Sequence, residues 1–170
     1  MRTLNFHGVT SCLVPKIGVN PLINNIDKTF TNNDIIFFDG PIPSINDLYA
    51  ITSKDELLTV YASSKISEAK TLRISYIQDN SKLRRIIRQD PNAQKIVFEK
   101  NGTITWFALC MSEENPEALG SPLLFGDSIA ISEEENKIVT IDKLSGNIGD
   151  ENYLKEFSLI LTEVSNSEGV

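Results

Sequence analysis

Histidine occurs once, at His7, in a chain of 170 residues. Histidine-based triads and most zinc sites need a histidine with specific partners. Cys12 follows five residues later, but one Cys and one His complete neither arrangement. His7 therefore reads as a structural or surface residue. The chain also lacks the Gly-rich phosphate loops GxGxxG and GxxxxGK[ST], and the nucleophile elbow GxSxG. Cysteine is scarce too: Cys12 and Cys110 sit far apart, each in an apolar context. Two buried free thiols are the preferred reading. A disulfide requires an oxidising compartment and a close approach that spacing alone does not supply.

Long apolar runs are missing as well. No stretch approaches the ~20 residues of a membrane-spanning helix. The first twenty residues lack the uninterrupted apolar core of a signal peptide. Assembly in a cytoplasm is the expectation. Basic residues are outnumbered, 16 Lys and Arg against 23 Asp and Glu, for a net charge of −7. Such a surface repels phosphate, so neither nucleic acid nor a membrane is an expected partner.

What is present is β-pattern, and it is strongest over Lys95–Met111. Ile96 and Phe98 fall on one face of an extended chain. Asn101-Gly102 follows, a dipeptide suited to the φ > 0 positions of a two-residue hairpin turn. That turn also accounts for the glycosylation-like Asn101-Gly102-Thr103. Ile104 and Trp106 then alternate with Thr103 and Thr105. From Trp106 to Met111 both faces are apolar: Trp106, Ala108 and Cys110 on one, Phe107, Leu109 and Met111 on the other. Such a strand belongs in the middle of a sandwich, with the only Trp in the core.

The rest of the chain is short apolar runs broken by Gly, Pro, Asn and Asp. Residues 1–34 are polar and Asn-rich and read as an extended arm, held by the domain or by a neighbouring chain, with one short strand near Cys12–Val14. Ile35–Phe38 is a strand ended by Asp39-Gly40-Pro41. Ser44–Leu48 suits one helical turn capped by Ser44 or Asn46. Leu57–Ala62 is the next apolar run. Thr71–Ile77 alternates with period two. Ser81–Gln89 fits helix or strand, and carries the basic cluster Lys82, Arg84, Arg85 and Arg88. A solvated face is the preferred reading of that cluster over an anion or partner contact. Ser112–Pro116 and Glu133–Asn136 are acidic loops. Leu123–Phe125, Lys137–Asp142 and Phe157–Val164 are strands. Ser145–Asp150 is a loop, and 165–170 a polar tail. About eight strands without long alternating helices predict an all-β fold: an antiparallel β-sandwich, jelly-roll-like or Ig-like, spanning 35–164 behind the N-terminal arm.

Chemistry finds no foothold in this pattern. Asp142–Tyr153 fails as a calcium loop, because Leu144 and Gly146 fall at ligand positions and Asn147 takes the place of the required glycine. Glu133, Glu134 and Glu135 are neighbours whose side chains diverge. A paired-carboxylate hydrolase needs only two acids that meet in space, and nothing in the spacing selects a pair. The expectation is no catalytic, cofactor-binding or metal-binding residue, and no enzyme.

The order of features resembles a family of small virion proteins of tailed bacteriophages and prophages. The matching pieces are Ile35–Phe38, then Asp39-Gly40-Pro41-Ile42-Pro43 with Ser44–Asp47. Leu57-Leu58 follows as the counterpart of a Leu-Leu strand. Gly102-Thr103-Ile104-Thr105-Trp106-Phe107 is the closest piece, with Ala108 where members often carry Arg. Gly120-Ser121, Gly126-Asp127, Lys137–Ile141 and Phe157–Thr162 complete the series, which covers roughly residues 35 to 163.

The resemblance implies a structural role in a virion, assembled in the host cytoplasm. The chain would decorate or cement a capsid, binding the major capsid protein or other virion subunits through its arm and sheet edges, as a closed homo-oligomer. The alternatives are a tail, baseplate or fibre component, and a carbohydrate-binding sandwich. The last needs exposed aromatics for stacking, with Tyr49, Tyr61 and Tyr153 the candidates once Trp106 is buried.

Overall fold

The computed structural model describes residues 2–6, 13–15, 33–72, 74–79, 84–89, 94–111, 122–131 and 138–165. His7, Cys12, Lys82, the Ser112–Pro116 loop, the Glu133–Asn136 turn, Gly120-Ser121 and the tail after Ser165 lie outside them.

The fold is an antiparallel β-sandwich with a helical layer on one side. The first sheet has five strands in the order β2-β10-β9-β3-β4: β2 (Leu13–Pro15), β10 (Pro122–Gly126), β9 (Trp106–Met111), β3 (Asn33–Phe38) and β4 (Lys65–Leu72). The second is built on one long strand, β14 (Glu151–Ser165). Along one edge of β14 run β6 (Arg84–Gln89) and β7 (Gln94–Val97). Along the other run β12 (Val139–Ile141) and β1 (Arg2–Phe6). β5 (Ile74–Asp79) pairs with β6, and β11 (Ile129–Ala130) pairs with β12 in parallel. A small ladder joins β8 (Gly102–Thr103) to β13 (Ser145–Gly146).

The double-sided apolar pattern of β9 has a direct structural cause. Its odd-numbered residues, Phe107, Leu109 and Met111, face the second sheet. They join Ile35, Phe37, Ile66, Leu124, Val139, Ile141, Leu154 and Phe157 in one core. Its even-numbered residues, Trp106, Ala108 and Cys110, face the helices, and pack with Ile36, Phe38, Phe125, Leu48, Ile51 and Leu57. The register Phe38↔Trp106, Ile36↔Ala108 and Asp34↔Cys110 aligns β3 and β9 on that outer face.

The helical layer is α1 (Ile45–Ala50) and α2 (Lys54–Val60), followed by a short 3-10 turn at Ala62–Ser64. Ser44 caps α1, accepting from the Asp47 amide at 3.2 Å. Here the sequence expectation and the structure agree. They differ over Leu57-Leu58, which lies in α2 and not in a strand. The physical reason is a capping arrangement at Ser53-Lys54-Asp55-Glu56. Ser53 Oγ accepts from the Glu56 amide at 3.1 Å, and Glu56 Oε2 reaches back to the Thr52 amide at 3.1 Å.

The expected hairpin at Asn101-Gly102 is also corrected. β7 pairs with β14 in the second sheet, while β9 lies in the first with both its edges occupied by β3 and β10. No edge of β9 is left for β7, so the segment is a crossover between sheets. Among the described residues the glycines with positive φ are Gly40 and Gly149, and Gly102 is not one of them. Within the expected strand Thr71–Ile77, Thr71-Leu72 and Ile74–Ile77 are extended but belong to different sheets: Leu72 pairs with Asn33, and Ile74 with Gln89. Ser81–Gln89, open between helix and strand, contains strand β6. Ser145–Asp150, expected as loop, contributes β13 before it turns at Gly149.

Gly102 and Gly146 oppose each other in the β8–β13 ladder. A Cβ on Gly146 would lie 2.9 Å from two ring carbons of the buried Phe98. Gly146→Ala is expected to destabilise the fold by roughly 1–3 kcal/mol, the range for overpacking a filled core. Urea denaturation, with the slope unchanged and the midpoint lowered, checks this.

Candidate functional site

The most unusual chemistry in the fold is a cluster of charges buried under the helical layer. Asp34 sits at the start of β3, on the face that carries Ile36 and Phe38. Glu68 on β4 lies directly across from Ile36. Lys54, the first residue of α2, reaches down between them. Its Nζ is 2.8 Å from Asp34 Oδ2 and 2.5 Å from Glu68 Oε2. The three side chains are only 8%, 5% and 5% exposed. Lys65 Nζ meets the other Glu68 oxygen at 3.1 Å and Glu99 at 3.2 Å, which carries the network out to the surface.

Burial acts to lower the Lys54 pKa, but the hydrogen bonds and charges of Asp34 and Glu68 outweigh it, and the net shift is upward. Burial likewise acts to raise the Glu68 pKa, and Lys54 and Lys65 together turn the net shift downward. Lys54 and Glu68 thus rest as an ion pair. Cys110, opposite Asp34 on β9, is a buried free thiol pushed up to about 12 by burial. This agrees with the buried-thiol reading for Cys110. Cys12 is outside the described residues.

Sequence reasoning missed the cluster. Asp34 stands beside an apolar run and looked like its boundary. Lys54 and Glu68 lie in polar stretches where lysine and glutamate are ordinarily solvated. The one usable signal was the Ser53-x-x-Glu56 cap, which sets α2 and places Lys54 at its first turn. A cation there opposes the helix dipole, so a specific partner is required.

The remaining sequence candidates are dispersed. Arg84, Arg85 and Arg88 fall on β6. Trp106 is 1% exposed. It stacks on Phe38 with ring centroids 4.1 Å apart and meets Tyr61 edge-on at 5.4 Å. Its Nε1 donates to the Asp39 carbonyl at 3.0 Å. Trp106 and Tyr61 are therefore core-building. Tyr49 and Tyr153 are exposed, but one lies on α1 and the other on β14, on opposite sides of the sandwich. They do not make one stacking surface. In the Asp142–Tyr153 segment the acids are held by lysines, Asp142 by Lys155 at 2.7 Å and Asp150 by Lys143 at 3.6 Å. Buried Asn152 closes that turn, its Oδ1 accepting from the amides of Asp142, Lys143 and Tyr153. Among the described residues no three metal-ligating side chains converge, and no helix is long and apolar enough to cross a membrane.

Comparison with protein-family models, curated proteins and solved structures finds no match for this chain.

Three outcomes are expected. Lys54→Met strands two buried carboxylates and should cost about 3–5 kcal/mol of stability, read by denaturant unfolding. The stabilisation from ionised Glu68 is complete above the ordinary carboxylate value of ~4.3, and is lost as pH falls through its depressed folded value. Unfolding midpoints measured from neutral to acid pH should therefore fall less in Glu68→Gln than in the parent. Trp106 emission should be blue-shifted and resist iodide quenching, and a red, quenchable spectrum would contradict the stacked geometry.

Proposed function

We propose that this chain is a non-enzymatic structural protein of a bacteriophage virion, bound on the capsid exterior as a decoration or cement subunit. The observation that carries the reading is the position of the N-terminal strands. β2 is the outermost strand of the five-stranded sheet, paired to β10 over Leu13–Pro15. β1 lies along β14 over Arg2–Phe6, and pairs with no other strand among the described residues. An edge strand keeps a row of N–H and C=O groups for main-chain pairing with a neighbour. Such pairing needs no pocket and no catalytic group. A segment at the edges of both sheets is suited to link copies or to reach a capsid protein.

Other features support the same reading. The sandwich is filled on both faces of its central sheet, which gives a rigid unit. The acidic balance suits an outer surface better than contact with packaged DNA. The resemblance across residues 35 to 163 points to the same class of protein. A tail, baseplate or fibre position would use the same edges and differ in copy number.

The test is the number of copies per purified particle, relative to the major capsid protein, by quantitative mass spectrometry. A decoration role requires a copy number on the scale of the capsid lattice. A few to a few tens of copies, on the order expected for rings and fibres, moves the protein to the tail. Absence from particles overturns the virion reading.

A further inference from the structure

We propose that Lys54 and Asp34 join covalently in the folded protein, Nζ of Lys54 forming an amide with the side-chain carboxyl of Asp34 while Glu68 carries the proton. This inference does not depend on the virion reading.

The argument begins with the placement of the three groups. Lys54 Nζ and the Asp34 carboxylate are in contact, 2.8 Å from N to O, and bond formation needs only that Nζ move from this hydrogen-bonding position onto the carboxyl carbon, a reach of about 3–3.5 Å. Lys54 on α2 and Asp34 on β3 are fixed by separate elements. Leu57 of the same helix is fully buried against Ile36 and Phe38 of the same strand. The pair cannot drift apart without unpacking that layer. Effective molarity in such an arrangement is high, because the entropy of bringing the partners together is already lost on folding.

The surroundings favour condensation over hydrolysis. The three side chains are almost fully removed from water. In low dielectric the charged pair is held at a desolvation cost. Asp34 and Glu68 hold the resting amine charged, so the step starts from the minor population in which one proton has passed from Lys54 to Glu68 and the amine lone pair is free. The 2.5 Å contact between Lys54 Nζ and Glu68 Oε2 is the path for that proton. Glu68 is bound on its other oxygen by Lys65 at 3.1 Å. That second ammonium orients Glu68 and assigns it to proton transfer, leaving Asp34 as the acyl partner.

The step balances without a co-reactant. Lys54 enters as an ammonium and Asp34 as a carboxylate. Glu68 takes one ammonium proton and passes it to the Asp34 carboxylate, and Nζ attacks the carbon of the resulting neutral acid. Glu68 then carries a second nitrogen proton to the departing hydroxyl, and one water leaves. The products are a neutral amide and unchanged Glu68. No oxidant, metal or nucleotide is needed.

The outcome is a chain locked into a ring between β3 and α2, the linked positions standing 20 apart in sequence. The helical layer would then stay on the outer face of the sheet even when other contacts loosen.

Intact mass spectrometry of the full-length folded protein, denatured only for measurement, tests this directly. The expected mass is one water below that of the sequence. Trypsin should fail to cut after Lys54, giving the peptide spanning Thr29 to Lys65 less one water. Lys54→Arg keeps the positive charge but not the amine, and should restore the sequence mass. It also keeps Asp39-Gly40, whose cyclisation would likewise release water, so the variant separates the two chemistries. Asp34→Asn should lose ammonia in place of water, which identifies residue 34 as the acyl partner. Glu68→Gln should stay uncondensed. A wild-type protein at full sequence mass after prolonged incubation, or a water loss that persists in Lys54→Arg, overturns the proposal, whatever the fate of the other variants.

Discussion

Burial of both faces of β9 is the constraint on which the rest of this structure depends. A strand that is apolar on two sides needs cover on two sides. The second sheet, built along β14, covers one face. The other face, with Trp106 and Phe38 stacked at its centre, would be open to water if the protein were a two-layer sandwich. The short helices α1 and α2 close it. Their few residues cannot hold helical form through backbone propensity alone, because isolated helices of this length are unstable in water. They are held by Leu48, Ile51 and Leu57 and by the caps at Ser44 and Ser53. The layer and the strand it covers thus depend on one another.

The parts of this arrangement that rest on local pattern were legible in the sequence. Alternation identified the two faces of β9, and the division of its residues between the two cores matches that assignment. The Asp39-Gly40-Pro41 turn, the cap at Ser44, and the strands around Phe125, Val139 and Phe157 follow from short-range chemistry. The errors have a common origin in long-range pairing. Asn101-Gly102 carries a local hairpin preference, but the competition for the edges of β9 is won by β3 and β10, which are distant in sequence. Leu57-Leu58 was drawn toward a strand by its place in a series of strands, although the Ser53-x-x-Glu56 cap was present to contradict that. The Lys54–Asp34–Glu68 cluster was invisible for the same reason. Each residue is ordinary in its own stretch, and only the fold brings the three together.

The cluster raises a question that stability does not answer. A buried ion pair is weak support for a fold, since apolar residues of similar volume often serve as well or better. The adjacent layer shows that such residues fit here: Ile36, Phe38, Ala108 and Phe125 fill the same face. Lys54 also stands at the positive end of α2, where the helix dipole disfavours a cation. A lysine in that place, with two carboxylates beneath it, costs desolvation and opposes the dipole together. A purely structural account would have to find the compensation in specificity, with the charges fixing how the helices seat on the sheet.

A covalent account needs no such compensation. If the ion pair is the precursor of an amide, the desolvation cost is carried only until the bond forms, and the charges then leave with the water. The same burial that weakens the case for a salt bridge strengthens the case for condensation, because excluded water protects the product. Glu68 keeps its lysine partner, Lys65, after the bond has formed, so the remaining carboxylate is not left uncompensated. The polar network from Lys65 to Glu99 then reads as the support that holds Glu68 in place before and after the step. For a protein whose proposed role is mechanical, a tie between the central sheet and its cover secures the joint on which the core most depends.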